Sequence, residues 1–307
     1  MMKNSNKVIV MGSSNTDMVI QSGHLPKPGE TILGGRFEMV NGGKGANQAV
    51  AAARLGASTT FIGKMGNDVF AQQALKGLQE DGIDTEFTSI KEGSASGIAL
   101  IMVDEAGENC ISVASGANAE ISKEDIDEAS ASFETGNILL TQLEVPVDIV
   151  HFTIQKAKKA GMSNILNPAP AAALPDEMLS QVDIITPNQS EAELLTGVNV
   201  TDLLSAKKAA SFLRDKGINT IILTMGKQGA YVLGEGMDEI IPALDVVAKD
   251  TTAAGDTFNG ALACSLAANN DLRSAVEFAT KAAAISVTRF GAQPSCPSLD
   301  DVLTFNS

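Results

Sequence analysis

Short apolar runs alternate with longer amphipathic segments along most of this chain, a pattern typical of β-α-β units around a parallel sheet. The first run, KVIVM at 7–11, ends at Gly12. The runs are almost continuous in Ile, Leu and Val, so we expect strands that are covered by helices on both faces. The predicted strands are 7–11, 59–63, 137–143, 164–167, 182–186, 219–224 and 230–234.

The segments between these strands carry apolar residues three and four positions apart, which predicts helices. In 68–81, for example, Phe70, Ala74 and Leu78 fall on one helical face. The alternation predicts an α/β fold with a mainly parallel central sheet. The predicted helices are 45–56, 68–81, 122–132, 147–160, 189–196, 203–216, 256–268 and 272–288.

Two regions break this alternation. Residues 15–41 contain no convincing long helix, and residues 94–114 hold two β-like runs, GIALIMV and NCISVA, joined by DEAGE. The turn residues between the two runs predict a hairpin. We expect both regions to form a small lid sheet that projects from a single domain spanning 1–307.

The run GIALIMV (97–103) is apolar on both faces of the predicted strand. A small projecting sheet should instead have one face exposed to solvent. We expect the second face to pack against the same lid of another copy, giving a two-fold dimer. The alternative is that the lid and the main domain together cover both faces.

Composition narrows the range of ligands. The chain of 307 residues is 44% hydrophobic and 19% charged, enough for a sizeable core, and carries 37 acidic against 22 basic residues, a net charge of −15. This charge disfavours nucleic acid or an anionic membrane as partner, because both need clustered Lys and Arg. A small phosphorylated ligand remains possible, since backbone amides bind phosphate without formal charge.

Few residues in the chain suit metal or redox chemistry. Three widely spaced cysteines, Cys110, Cys264 and Cys296, form neither a disulfide framework nor a metal clip, and His24 and His151 are the only histidines. No apolar run approaches the roughly 18–20 residues of a membrane span, and the N-terminus lacks a signal-peptide pattern. We expect a cytoplasmic protein.

Two common phosphate-binding motifs are absent. No GxxxxGK[ST] occurs, and no GxGxxG follows the first strand. Their absence weakens a P-loop or dinucleotide-binding interpretation.

The segment DTTAAGDTFNGAL, 250–262, is the strongest candidate for chemistry. The amides of Ala253, Ala254 and Gly255 precede a predicted helix, where small residues let an anion approach and the helix dipole favours negative charge. Asp256 lies in the first turn of that helix. Its alternative role is that of an ordinary capping residue.

Polar residues follow several other predicted strands, where parallel sheets bind ligands. Asn15 and Asp17 follow the first strand, and Glu144 follows 137–143. In NGGKGANQ, Gly42 and Gly43 predict a tight turn, and Lys44 and Asn47 are candidates to bind a hydroxylated ligand. A flexible loop with a helix cap is the alternative for this segment.

In TPNQSEAELLTG, Asn188 and Glu191 have capping-box spacing. The functional alternative assigns a nucleotide phosphate to Asn188 and a metal-bound water to Glu191. Both interpretations are compatible with each other.

The blocks GGKGANQAVAAARLGA and DTTAAGDTFNGAL, in this order and at this separation, resemble the ribokinase-like (PfkB) family of sugar kinases, over nearly the whole chain from GSSNTD to GAQPS. The resemblance implies a three-layer α/β/α domain with a β lid that closes over the sugar. It also implies the conversion of ATP and D-ribose to ribose 5-phosphate and ADP. The alternatives are a related kinase for deoxyribose, fructose or a nucleoside such as adenosine, and a nucleotide-binding module without turnover. A dehydrogenase is disfavoured by the missing GxGxxG.

The resemblance also assigns roles. Asp256 becomes the catalytic base and Ala253, Ala254 and Gly255 the anion hole; the helix N-terminus leads us to expect a lowered pKa for Asp256. Ribose is assigned to Asn15, Asp17, Gly43, Lys44, Asn47 and Glu144, and Asn15 favours ribose because some deoxyribose-preferring relatives replace it. The nucleotide is assigned to Asn188, Glu191, Thr224, Gly226, Gly229, Gly255 and Thr280, the last standing where several relatives carry Asn or His.

The metals implied by the resemblance are Mg²⁺ and K⁺. Magnesium is expected to bridge the ATP phosphates with few direct protein ligands, because it sheds water reluctantly. Potassium is expected as an activator, held largely by carbonyl oxygens of one set of residues. That set is Asp250, Thr252, Ser286, Arg289, Gly291 and Ser295.

Overall fold

The computed structural model describes residues 6–305, so both ends of the predicted domain 1–307 lie outside the described residues. The strands are β1 (Val8–Met11), β2 (Asn15–Gln21), β3 (Arg36–Gly42), β4 (Thr59–Gly66), β5 (Thr88–Lys91), β6 (Gly97–Val103), β7 (Asn109–Ala114), β8 (Ile138–Thr141), β9 (Ser163–Leu166), β10 (Ile184–Ile185), β11 (Thr220–Thr224), β12 (Ala230–Gly234) and β13 (Met237–Ile241). The helices are α1 (Lys44–Arg54), α2 (Val69–Glu80), α3 (Lys123–Ala129), α4 (Val147–Lys159), α5 (Asp176–Leu179), α6 (Gln189–Thr196), α7 (Leu203–Asp215), α8 (Ala254–Ala267), α9 (Leu272–Ser286) and α10 (Leu299–Thr304).

Nine strands form the central sheet in the order β13-β12-β11-β10-β9-β8-β1-β4-β5. Seven neighbouring strands in this order, β11-β10-β9-β8-β1-β4-β5, are parallel to each other. The strands β12 and β13 continue the sheet beyond β11 as an antiparallel ribbon. This confirms the predicted mainly parallel sheet. From β1 the chain proceeds towards β4 on one side, and from β8 towards β9 on the other. The strand order therefore reverses between β1 and β8, the position at which open α/β sheets form a ligand-binding crevice.

Alternate residues of β1 contribute to two separate cores. Val8 and Val10 pack into the core beneath α1, α8 and α9, whereas Ile9 and Met11 pack into the core beneath α4 and α7. Successive strand residues point to opposite faces of the sheet. Helices cover both faces, so all four residues are fully buried. The sheet is thus covered on both faces, which confirms the three layers.

A second, four-stranded sheet has the order β3-β2-β6-β7. It contains the two regions that break the sequence alternation, and β6 and β7 form the predicted hairpin through antiparallel pairing. The turn is closed by Asp104, whose carboxylate accepts hydrogen bonds from the amides of Ala106 and Glu108. The predicted small sheet is confirmed.

Several elements differ from the sequence-based expectations. The strands β5 and β13 and the helices α5 and α10 were not predicted, because they are short and mostly half-exposed and lack a long apolar pattern. The helix predicted over 122–132 ends at Ala129 and continues as a 3₁₀ turn, Ser130–Ser132. Helix α8 begins two residues earlier than expected, directly after Ala253, which adopts a left-handed conformation with φ of 57°.

Helix length bears on a membrane location. The 15 residues of α9 make it the longest helix among the described residues, and a bilayer core requires about 20. Within residues 6–305, no helix combines the length and the apolar character needed to cross a membrane.

Candidate active site

The close approach of two backbone segments builds the crevice beside β1. At Gly43, φ is 88° and an added Cβ would lie 2.6 Å from the amide nitrogen of Asn15. At Gly45 an added Cβ would lie 2.6 Å from the amide nitrogen of Ser13. Only glycine fits at these points, so the GGKG run brings the start of α1 against the segment that joins β1 to β2. Gly42 ends β3, and the predicted turn therefore centres on Gly43.

This approach creates a polar pocket, defined here by Asn15, Asp17, Lys44, Asn47, Glu144 and Asp256. They come from β2, from α1, from the loop after β8 and from α8. The carboxylate of Glu144 accepts hydrogen bonds from the Ser13 hydroxyl (2.5 Å) and the Lys44 amide (3.0 Å). The structure thus brings together polar residues that follow separate strands.

Asp256 lies in the first turn of α8 and is buried, but its side chain does not cap the helix. The residue before α8, Ala253, makes no side-chain cap. The Asp256 carboxylate accepts hydrogen bonds from Asn47 Nδ2 and Gln48 Nε2 of α1, both at 3.0 Å. The capping interpretation is therefore wrong.

The expected lowering of the Asp256 pKa is also wrong. Burial raises the pKa of Asp256, because the charged form loses its hydration, and this effect outweighs the opposing influence of Lys44 and of the amides of Asn47 and Gln48. Glu144 adds to the rise by repelling the carboxylate. The helix N-terminus does not compensate for complete desolvation.

Two further groups of the pocket are coupled to Asp256. Burial, with repulsion from Glu144 and Asp256, raises the pKa of Asp17 to about 6, against the attraction of Lys44. Burial disfavours the Lys44 ammonium, but the surrounding carboxylates, Asp256 foremost, outweigh this and raise the pKa of Lys44. The pocket concentrates negative charge around one half-buried cation, Lys44.

One acceptor atom in the pocket has no partner within the described chain. Asn47 uses Nδ2 to bind Asp256, whereas its Oδ1 is buried and makes no hydrogen bond. A buried amide oxygen without a partner is unfavourable. A ligand hydroxyl placed here would satisfy it.

Sequence reasoning missed Asn118, which lies in the 3₁₀ turn Gly116–Glu120. Its Nδ2 donates to Asn15 Oδ1 at 2.8 Å, and its Oδ1 accepts from the Ser14 amide at 2.9 Å. Asn118 thereby occupies the carbonyl end of the Asn15 amide and leaves the NH₂ end for a ligand. No motif marks Asn118, because its partners are more than 100 residues away in the chain.

A large cavity of about 710 Å³ opens beside the polar pocket, between the ends of β11 and β12, the loop 243–248 and the helices α8 and α9. Its walls are largely small or apolar. Thr280 Oγ1 is buried and has no hydrogen-bond partner among the described residues. The predicted residues that line the cavity are Asn188, Thr224, Gly226, Gly229, Ala254, Gly255 and Thr280.

Glu191 and Ala253 are not among the lining residues. The Glu191 carboxylate accepts hydrogen bonds from the Asn188 amide (2.8 Å) and from Asn188 Nδ2 (2.9 Å), which confirms the capping box. Burial raises the pKa of Glu191. Glu191 therefore fixes Asn188 at the cavity wall.

The six residues expected at a cation site lie in segments that contact each other. The Asp250 carboxylate accepts hydrogen bonds from the amides of Thr252 (2.9 Å) and Gly291 (2.8 Å). Burial opposes ionisation of Asp250, but these bonds outweigh it and lower its pKa. The side chains of Ser286, Arg289 and Ser295 donate to other groups, namely the Ala283 carbonyl, the Asp301 carboxylate and the Ala292 carbonyl. The hydroxyl oxygens of Ser286 and Ser295 keep their lone pairs when they donate, so hydroxyl and backbone carbonyl oxygens are both possible ligands there.

Comparisons with known proteins agree with this architecture over nearly the whole chain. A family model described as pfkB family carbohydrate kinase matches residues 5–299. A ribokinase of Haemophilus influenzae is 46% identical over 296 residues, covering 96% of this chain and 97% of that protein. A deoxyribokinase of Salmonella typhi is 38% identical over 294 residues, covering 95% of this chain and 96% of that protein. The solved structure of an Arabidopsis thaliana ribokinase complexed with ribose and ATP has a TM-score of 0.88 at 30% identity and covers 98% of this chain and 100% of that one.

Proposed function

The chain belongs to the pfkB family of carbohydrate kinases, and from this premise we propose that it transfers the γ-phosphoryl group of ATP to the 5-hydroxyl of D-ribose. The products are ribose 5-phosphate and ADP. One observation carries the proposal: the buried carboxylate of Asp256 lies in the polar pocket, while the preceding residue, Gly255, lines the large cavity. A base and an anion-binding helix N-terminus therefore meet where the two ligands would meet.

Asp256 acts as the general base. A primary hydroxyl is a poor nucleophile near neutral pH, and a carboxylate within hydrogen-bond reach accepts its proton as it attacks the γ-phosphoryl group. The raised pKa makes Asp256 a stronger base than an exposed aspartate, because catalysis is most efficient when the pKa approaches the working pH. Lys44 favours the charged form that is needed before the proton moves.

The start of α8 stabilises the charge that develops on the phosphoryl oxygens. The amides of Ala253, Ala254 and Gly255 precede or open the helix, where backbone donors have no helical partner. The Ala254 amide makes only a long turn hydrogen bond of 3.3 Å to the Thr251 carbonyl. Added to the helix dipole, these donors form an anion hole. A Cβ at Gly255 would meet no atom within 4 Å, so the protein leaves open the space next to this amide.

The polar pocket holds ribose. Asp17 and Glu144 accept hydrogen bonds from sugar hydroxyls, the NH₂ group of Asn15 donates, and the unpartnered Asn47 Oδ1 accepts. Lys44 and the backbone of Gly43 complete the pocket. Asn15 is the residue that favours ribose over deoxyribose in this assignment.

The large cavity holds ATP. Its glycine-rich wall from Thr224 to Gly229 presents backbone: at Gly229 φ is 100° and an added Cβ would lie 2.0 Å from the Ile241 carbonyl oxygen. The apolar loop 243–248 suits a nucleobase. The unpartnered hydroxyl of Thr280 is available to the base edge.

The described residues fit a magnesium ion that is carried by ATP. No group of three or more His, Cys, Asp or Glu among them could hold a metal by itself. Magnesium keeps most of its waters and binds phosphates readily. Asn188, fixed by Glu191, lies at the cavity wall where those waters would bind. When bound, magnesium neutralises charge on the β- and γ-phosphates.

We also propose a potassium activator at Asp250, Thr252, Ser286, Arg289, Gly291 and Ser295. The hydrogen bond from the Gly291 amide to Asp250 supports this, because it joins the segment around Gly291 to Asp250, which precedes Asp256 closely in the chain. The available carbonyls match the ligand preference of a large monovalent cation. Potassium there would order the anion hole without touching either substrate.

The small sheet is proposed to act as a lid and as a dimer interface. Asn15 and Asp17 begin β2, so the sheet is anchored in the polar pocket and its closure would exclude water. One face exposes Phe37 (59%) and Leu100 (54%). Ile20, which pairs with Phe37, and Met39, which pairs with the same Met18 as Leu100, are exposed on that face as well. Such a patch is typical of a protein interface, and a second copy of the lid would cover it.

The assembly is testable by light scattering at micromolar concentration. We expect a dimer for the natural chain and a monomer for Phe37→Lys. A monomeric natural chain would contradict the interface.

The cytoplasm is the proposed location. The ATP substrate and three unpaired cysteines, Cys110, Cys264 and Cys296, support it. Cell fractionation with a compartment marker tests it.

A coupled ADP-release assay tests the activity itself. We expect ribose-dependent ADP release, with kcat/KM for ribose above those for 2-deoxyribose, fructose and adenosine. A preference for deoxyribose would assign the chain to the activity of its 38% identical relative. Absence of release with every acceptor would leave a binding module.

A further inference from the structure

A closed chain of buried side-chain amides surrounds Gly255 and Asp256, and the mechanism above does not use it. Gln48 Nε2 donates to Asp256 Oδ1 and to Asn167 Oδ1, each at 3.0 Å. Asn167 Nδ2 donates to the Thr186 carbonyl (3.3 Å), and the Thr186 hydroxyl donates to Asn259 Oδ1 (2.6 Å). Asn259 Nδ2 returns to the Gly255 carbonyl at 2.8 Å.

The Gln48 amide can adopt only one orientation in this chain. Both hydrogens of its Nε2 are used, and its Oε1 accepts from Gln142 Nε2 at 2.5 Å. A flipped amide would place Oε1 against the acceptor oxygens of Asn167 and Asp256. The Asn167 amide is itself fixed, because its Nδ2 binds the Thr186 carbonyl. Gln48 is completely buried, so water cannot replace any of these bonds.

We propose that Gln48 is a positioning residue that holds the Asp256 carboxylate ionised and directed at the sugar. It also fixes the position of this carboxylate relative to the peptide that forms the anion hole. The proposal rests on the proposed function, since it assigns a role relative to the base of that reaction. Gln48 fixes one carboxylate oxygen, and Asn259 fixes the carbonyl of the adjacent peptide. The base and the anion hole are thereby held as one unit, without contact between Gln48 and either substrate.

Gln48 matters because burial and three neighbouring carboxylates oppose the ionisation of Asp256. Asp17 from β2, Glu144 after β8 and Glu191 from α6 repel the carboxylate. Lys44 attracts it, and the buried thiol of Cys296 is neutral, its pKa raised to about 11 by burial. The amides of Asn47 and Gln48 are the direct hydrogen-bond donors to the carboxylate. Asn47 is shared with the sugar, whereas Gln48 serves Asp256 in every state.

The test compares the pH dependence of kcat/KM for ribose in Gln48→Met and in the natural protein. The acid limb of this profile reports the essential base of the unliganded enzyme. Gln48→Met keeps an unbranched side chain of similar length and removes the donor. We expect the limb to move to higher pH by about one unit, as expected on losing a hydrogen bond to a charged group. The KM for ATP should change much less than kcat.

Gln142→Met is the matched control. Gln142 is buried, bonds to Gln48 on the side away from Asp256, and leaves its own Oε1 without a partner. Gln48→Met and Gln142→Met both break the Gln48–Gln142 hydrogen bond, but only the former removes the donor to Asp256. We expect the control to lose thermal stability with the acid limb unmoved. A limb that stays in place in Gln48→Met, with stability and activity falling as in the control, would overturn the proposal.

Two additional measurements separate this inference from the assigned reaction. Gln48→Glu preserves the shape and adds a negative charge beside Asp256, so its limb should move in the same direction; it serves if Gln48→Met does not fold. The carboxyl carbon of Asp256, identified in an NMR titration by its absence in Asp256→Asn, should titrate at higher pH in either Gln48 variant. An unchanged titration contradicts the Gln48 role, whereas absence of ribose-dependent ADP release in the natural protein contradicts only the proposed function.

Discussion

The polar pocket and the large cavity lie side by side but are lined by different kinds of chemical groups. The pocket carries four charged side chains, Asp17, Lys44, Glu144 and Asp256, with paired amides between them. The cavity presents glycine backbone and mostly small or apolar side chains, and the buried hydroxyl of Thr280 has no partner among the described residues. The first is suited to a small ligand with many hydroxyls, and the second to a flat base and a phosphate chain.

The difference shows two ways of achieving selectivity. In the pocket, buried groups of fixed donor or acceptor character reject a ligand that leaves them unpaired, a discrimination that apolar contacts cannot supply. In the cavity, which we propose for ATP, backbone amides and available space suit a phosphate chain without requiring formal charge. Substitutions in the pocket should therefore change chemistry and sugar binding, and substitutions in the cavity should change nucleotide binding.

Asp256→Asn is expected to have the largest effect. It removes the base, and general-base contributions are about 10²–10⁴-fold, so kcat should fall at least about 100-fold. Steady-state kinetics with ribose and a binding measurement for ATP check this, because ATP binding should persist.

Asp271→Asn is the control for Asp256→Asn. Asp271 is a true N-cap, accepting a hydrogen bond from the Ser274 amide at the start of α9. The control should keep normal kcat, since Asn caps as well as Asp. More than a tenth of natural kcat in Asp256→Asn would remove Asp256 from the role of base.

Asp17→Asn should weaken ribose binding by about 10–100-fold, because hydrogen bonds to a charged group contribute about 1.5–3 kcal/mol each. The same change should stabilise the ligand-free protein. The pKa of Asp17 is about 6 against an ordinary 3.8, so the folded state retains a proton that the unfolded state releases. Stability from this group falls as pH rises from about 4 to 6 and stays low above 6.

We therefore expect Asp17→Asn to raise the free energy of unfolding at pH 7 by about 1–3 kcal/mol, with less difference at pH 4. Denaturant titrations at both pH values measure it. Asp202→Asn, at the N-cap of α7, is the control and should lack this gain, because hydrogen bonds from Ser205 lower the pKa of Asp202. Equal stability of the natural protein and Asp17→Asn at both pH values would show that burial of the ionised Asp17 carboxylate does not destabilise the fold.

Gly255→Ala and Gly260→Ala separate ligand requirements from packing requirements on one helix. A Cβ at Gly255 meets no atom within 4 Å, whereas a Cβ at Gly260 lies 2.6 Å from both Ala51 Cβ and the Gln48 carbonyl oxygen. Gly255→Ala should raise the KM for ATP about tenfold and leave thermal stability intact, since Ala is the better helix residue. Gly260→Ala should lower stability because α1 and α8 must separate. A normal KM for ATP in Gly255→Ala would contradict a phosphate beside that amide.

Potassium should give the smallest effect. At equal ionic strength, we expect the rate in KCl to exceed that in NaCl severalfold, and Asp250→Asn to reduce the difference. Identical rates in the two salts would show that the segments around Asp250 and Gly291 do not bind a functional cation.

Local patterns anticipated most of the fold and the membership of the site. Continuous apolar runs located seven central strands, and the turn DEAGE located the hairpin, because burial on both faces and tight turns each impose local residue types. The strands β5 and β13 escaped prediction, since their short segments are held by neighbours on the sheet edge and not by their own pattern. The sugar-site candidates and Asp256 followed from motifs and from the ends of strands, whereas most nucleotide residues and the cation residues were assigned only through the resemblance to the pfkB family.

What the sequence by itself determined was which residues meet: glycines at 43 and 45 permit a close approach that any side chain would block, and strand ends gather polar groups in one crevice. What only the tertiary structure decided was their electrostatic state and their supporting partners. The pKa of Asp256 rises because desolvation depends on every element packed around it, including α1, more than 200 residues away in the chain. Asn118 and Gln48 gained their roles for the same reason: a hydrogen bond between distant residues leaves no periodic signal in the chain.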